Sequence, residues 1–78
     1  MPLELLDLSI GSRVLVLMKT EKEVEGVLLG FDEFVNMVMT DVTEYVVDTV
    51  TGEKREVKLE QALVNGNNVA MLCPLKDK

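Results

Sequence analysis

The sequence predicts a mostly β chain: a short N-terminal helix followed by a strongly bent, five-stranded antiparallel sheet that forms a small open barrel. Three observations carry this expectation. Of the 78 residues 47% are hydrophobic but only 4% aromatic, so Val and Leu must do the burying, and β-branched side chains suit a pleated, half-buried surface. Apolar runs of strand length alternate with segments of Gly, Asn, Asp and Thr, the residues that turns demand. Two glycines, Gly26 and Gly30, fall inside one such run, where glycine marks a bend or a close backbone approach. Two such points in one strand curve a sheet onto itself and do not suit a flat sandwich.

The helix is expected over residues 2–8, with Pro2 at its first position, Glu4 in its first turn and Gly11 soon after its end, placed to cap one end of the barrel. The first strand spans 12–18, and the polar segment 19–22 turns the chain into a second strand at 23–31, giving a hairpin. A third strand follows at 36–47. The Thr51-Gly52 turn leads to a fourth at 55–64, with Val57, Leu59 and Leu63 on one face and Lys58 and Glu60 on the other. A short fifth strand at 68–73 is ended by Pro74. Residues 1–78 read as a single domain, with no repeat, linker or low-complexity tract.

Charge and composition limit the function classes. The formal net charge of −6 has the wrong sign for gripping nucleic acid by counterion release, so any such binding must use stacking and base edges or borrow basic surface from neighbours. No apolar stretch reaches the length of a membrane span, and the N-terminus has neither a basic region nor an apolar signal core; an intracellular chain without a membrane partner is expected. The single cysteine, Cys73, excludes an intramolecular disulfide and is expected as a buried, inert thiol. With no histidine, nucleophile activation by imidazole is excluded, and transition-metal ligands are few. Asp41, Glu44 and Asp48 lack calcium-loop spacing, and Asp32 and Glu33, adjacent in a strand, would face opposite sides. No catalytic residue, metal or cofactor is expected. Met1, Met18, Met37, Met39 and Met71 are read as core and interface filling.

The chemistry concentrates in two polar segments that interrupt apolar runs: Gly30-Phe31-Asp32-Glu33-Phe34-Val35-Asn36 and Asn65-Gly66-Asn67-Asn68. An aromatic ring beside an amide can stack on a base face and hydrogen-bond its edge, which is how single-stranded RNA is read. The same residues also serve tight turns: Asp32 can bond its own backbone, Gly66 can supply a positive φ, and Phe34 can be a core aromatic at a strand end. In a short bent sheet the last strands are left as unpaired edges, and head-to-tail pairing with a copy or relative closes a ring.

Almost the whole chain resembles the Sm and Sm-like family of RNA-binding ring proteins. The first family motif is matched by Gly26, Leu28-Leu29-Gly30-Phe31-Asp32, Phe34-Val35-Asn36 and Asp41-Val42-Thr43-Glu44, and the second by Asn65-Gly66-Asn67-Asn68-Val69 and Pro74. The resemblance implies the Sm fold, pairing with other Sm-like subunits through edge strands into a heteroheptamer, and uridine-rich single-stranded RNA as ligand. It implies membership of a nuclear ring on the 3′ end of a spliceosomal small nuclear RNA and of a cytoplasmic ring in mRNA decapping and decay, hence a nuclear and cytoplasmic location. Carried over by residue, it makes Phe34 the ring that stacks on a base, Asn36 the amide at the base edge and Asp32 the acceptor that orients Asn36. Asn65 and Gly66 complete the RNA-binding set. The family usually carries Arg where this chain has Asn65, so a stacking plane and a positive charge are missing and weaker nucleotide contact is expected. The alternative is a structural subunit that closes the ring and recruits proteins without touching RNA.

Overall fold

The computed structural model describes residues 3–75. The element order is helix α1 (Glu4–Ser9), strands β1 (Arg13–Met18), β2 (Lys22–Phe31), β3 (Met37–Val47) and β4 (Lys54–Val64), a single 3-10 turn (Gly66–Asn68), and β5 (Val69–Pro74). Pro2, expected at the first helical position, and Met1 lie outside the described residues.

All five strands form one antiparallel sheet in the order β4-β3-β2-β1-β5. The last two strands in sequence are therefore the two edges, with no pairing between them to close the barrel. Cross-strand neighbours Val14 and Gly26, Val16 and Val24, and Leu28 and Met39 all face inward and are buried. Met37, Val42, Val64 and Leu6 of α1 complete the core. Two backbone bonds fix the approach of α1: Gly11 N–H donates to Leu28 O (2.8 Å) and Leu28 N–H to Ser12 O (3.0 Å). Gly11, at φ +85°, makes the turn that brings the chain there, a conformation that favours glycine.

The bend in β2 has a steric cause at Gly26. The β2–β3 register shifts between Glu25 and Val27, and a Cβ on Gly26 would sit 3.0 Å from both Thr40 O and Val42 Cγ2. A second shift falls between Leu28 and Gly30, yet nothing lies within 4 Å of a Cβ placed on Gly30. Gly26 thus marks a close approach and Gly30 only a bulge, where the sequence suggested both roles for each. In β3, Asp41 stands at φ +53° and breaks the alternation, so that Met37 and Met39 face the core before it while both Val42 and Thr43 are buried after it. Arg13 braces this kink: its guanidinium donates to Asp41 Oδ2 (2.9 Å) and Asp41 O (3.2 Å), and its Nε lies 3.4 Å from Glu25 Oε2.

That kink corrects the face expected for β4. Residues directly opposed across an antiparallel pair share a face. Leu59 pairs with buried Val42, but Leu63 pairs with Val38 and is 84% exposed, while Val64, opposite Met37, takes the core position. Val57, Leu59 and Leu63 do not form one buried stripe. Cys73 is a free thiol, half-buried opposite Leu15 and not the fully buried residue expected. Pro74 is the last residue of β5, not a position beyond it. Met37 and Met39 are core, Met18 is partly buried against it, and Met71 is exposed on the edge strand β5.

Candidate nucleic-acid interface

The two polar segments meet. Asp32 organises the first of them: its Oδ1 accepts from Phe34 N–H (2.9 Å) and Asn36 N–H (3.0 Å), and its Oδ2 accepts from Asn36 Nδ2 (3.0 Å). The backbone closes the same loop, Asp32 N–H donating to Asn36 O (3.1 Å) and Val35 N–H to Asp32 O (3.0 Å). Asn36 then reaches across to the second segment, its Oδ1 accepting from Gly66 N–H at 2.7 Å. An amide side chain has two donors and an oxygen acceptor. In Asn36 the oxygen and one N–H are engaged, which leaves one N–H to offer a ligand.

Gly66 is required here by space and not by backbone conformation. Its φ is not in the left-handed region, contrary to the turn role open to it in the sequence. A Cβ at this position would overlap the Phe34 carbonyl oxygen and lie 2.9 Å from the Val35 carbonyl carbon. The second loop is seated directly on the Phe34–Val35 peptide. Asn65 caps the 3-10 turn, its Oδ1 accepting from Asn67 N–H (2.9 Å), so its Nδ2 donors remain unassigned.

Phe34 is no core aromatic: it is 70% exposed. A groove of about 570 Å³, which Phe34 does not line, opens between Phe31, Asp32 and Asn36 on one side and Leu63, Val64 and Asn65 on the other. A further groove of about 610 Å³ lies at the β3–β4 kink, between Thr40–Thr43 and Lys58–Gln61, and has no aromatic ring in its wall. Asp32 and Glu33 lie in a turn, so the opposite-face argument for a strand does not apply to them. No Lys or Arg occurs from Glu23 to Glu53 or from Leu59 to Leu75, so neither loop carries a cation of its own, although Lys19 adjoins the second loop through its N–H to Asn68 O (2.8 Å).

The Asn36 side-chain amide, with the Asn36 and Phe34 backbone N–H groups, holds the Asp32 carboxyl below the ordinary carboxylate range. A carboxylate whose folded-state pKa is depressed favours the ordered state above its unfolded value, about 3.9, and loses that contribution as pH falls through the lowered one. The Asp32 titration midpoint is therefore expected below about 3.9, with the Asn36 side-chain and Phe34 amide NMR signals moving in step with it. A midpoint at or above the ordinary value would contradict the network.

Sequence reasoning singled out Asp32, Phe34, Asn36, Asn65 and Gly66, and the structure brings all five to one junction. It missed Val35, which lies between Phe34 and Asn36 at φ +67°. No sequence signal marks such a conformation, because a β-branched residue is the least expected there.

A helix-capped, five-stranded open barrel with this two-loop junction is the Sm type of small β domain. An LSM domain model matches residues 4–74, and the chain belongs to this family of Sm and Sm-like proteins. It is similar to the Sm-like protein LSM5 of Arabidopsis thaliana, 55% identical over 75 residues that cover 95% of this chain and 82% of that protein. The probable U6 snRNA-associated Sm-like protein LSm5 of Dictyostelium discoideum is 51% identical over 74 residues, 95% of this chain and 74% of its own length. Among solved structures, a Pyrococcus abyssii Sm protein in complex with a uridine heptamer superposes with a TM-score of 0.81 at 28% identity, covering 96% of this chain and 99% of that one. A heptameric archaeal Sm protein gives 0.79 at 32% identity, covering 94% and 98%.

Proposed function

We propose that this chain is an RNA-binding subunit of a heteroheptameric ring of Sm-like proteins, and that it holds one nucleotide of a uridine-rich single-stranded 3′ segment. The ring forms through β4 of one subunit and β5 of the next, the two edges that the fold leaves open. Phe34 stacks on the base, the spare N–H of Asn36 reaches a carbonyl on its edge, and Asp32 and Gly66 hold Asn36 for that contact. The observation that carries the reading is an aromatic ring left 70% exposed beside an amide whose position is fixed from both loops. The heptameric archaeal relative and the uridine heptamer bound by the Pyrococcus protein support both assembly and ligand class. The U6 snRNA association in the Dictyostelium protein's name supports a nuclear role in splicing; a cytoplasmic role in decapping and decay is the second half of the proposal. The chain acts as a binding protein and not as an enzyme.

Replacing Phe34 with alanine in the assembled ring is expected to remove a stacking contribution of about 1–3 kcal/mol per base. Fluorescence anisotropy with labelled oligouridine would register this as a weaker complex at unchanged ring mass. Unchanged affinity would favour the second reading, a structural subunit that closes the ring. That reading draws on the cation-free loops and on Asn65, whose oxygen is committed to capping its own turn.

A further inference from the structure

We propose that Val35 is a positioning residue: its side chain, seated on the core while its backbone is left-handed, holds Phe34 toward solvent and Asn36 toward the second loop before any nucleotide arrives. This inference rests on the base-stacking role proposed above for Phe34. In a regular extended chain, residues 34 and 36 would share a face. Here both are exposed but differently engaged: the Phe34 ring is 70% exposed, while the Asn36 side chain is tied to Asp32 and to Gly66 of the second loop. The residue between them makes the difference, with φ +67°.

A β-branched side chain at such a φ is a true outlier, and it persists only where the surroundings over-determine it. Three independent constraints do so. The Val35 side chain is partly buried and packs against the core cluster. Its own N–H is tied to Asp32 O, and the N–H groups on either side of it are both tied to Asp32 Oδ1. Gly66 approaches the Phe34–Val35 peptide so closely that a Cβ there would overlap the Phe34 carbonyl oxygen. The bonds to Asp32 fix the loop's path. Only the apolar anchor explains why a strained valine occupies its apex. Strain held in the free protein in this way lowers the ordering cost of binding, since the backbone that carries the ring does not have to be ordered at the moment of contact.

The test uses rings reconstituted with this chain as wild type, Val35→Gly, Val35→Leu or Phe34→Ala, with only this chain isotopically labelled. Glycine reaches a positive φ without strain but has no anchor, whereas leucine keeps an apolar anchor without branching at Cβ. Val35→Gly is expected to weaken oligouridine binding about five- to tenfold through lost preorganisation. Its melting temperature should change little, because relief of strain opposes the lost burial, while the heteronuclear NOE of amides 34–36 falls. Val35→Leu should restore both affinity and NOE. Wild-type affinity in Val35→Gly, or weakened affinity with rigid amides, would overturn the proposal while Phe34→Ala still binds weakly. Wild-type affinity in Phe34→Ala would instead overturn the stacking role, and the positioning role with it.

Discussion

Gly66→Ala is expected to separate the two loops and to abolish oligouridine binding by the subunit, at a stability cost of about 1–3 kcal/mol typical of forced overpacking. The added methyl would occupy the position of the Phe34 carbonyl oxygen, and the atoms it meets are backbone, which cannot swing aside as a side-chain tip can. Relief requires the whole second loop to lift. That movement breaks the 2.7 Å bond from Gly66 N–H to Asn36 Oδ1 and frees the one amide that links the loops. Gly30→Ala is the matched control, since nothing lies within 4 Å of its added methyl. Thermal denaturation and anisotropy on both variants should show loss of binding for Gly66→Ala and near wild-type behaviour for Gly30→Ala. Equal behaviour of the two would mean that the loops are not packed as described.

The contrast between these glycines shows what the sequence made legible. The short helix and the bent, five-stranded antiparallel sheet followed from aliphatic runs and turn residues, because strand and turn preferences are local. The two loops were legible as a site because an aromatic and several amides in turn segments are unusual where turns alone would suffice. What each glycine is for was not legible: Gly26 and Gly66 answer to backbone atoms far away in sequence, at Thr40 and at Phe34. The same holds for the face of β4. Strict alternation put Leu63 with Leu59, but the left-handed step at Asp41, braced by Arg13 from β1, moves the buried face onto Val64. A kink held by a side chain 28 residues away leaves no local trace.

The absence of Lys and Arg from the two loops also bears on the proposed contact with RNA. Phosphate neutralisation is what makes nucleic-acid binding steeply salt-dependent, and these loops can supply none of it. On the proposal above, their contribution comes from the base face and edge, which are neutral. The chain's eight Lys and Arg residues all lie outside these two loops, so its acidic balance is compatible with a share in RNA binding that is local and weakly sensitive to salt.

Leu28→Ala is expected to cost about 3 kcal/mol, within the usual range for a leucine lost from a closed core. Leu28 is fully buried on β2 opposite Met39, also fully buried. Both of its backbone bonds to the Gly11–Ser12 segment survive the change, so the loss is one of packing alone. A chain of this size starts near the low end of the stability range, about 5 kcal/mol, and such a cavity removes most of it. Binding of a partner to the folded form alone restores stability by mass action. The variant should therefore melt far earlier than wild type as an isolated chain, and both should gain stability by a similar amount once Sm-like partners cover β4 and β5. Differential scanning calorimetry on both forms decides the point. No gain in melting temperature for either chain on entering the ring would show that covering the open edges contributes little to holding the fold.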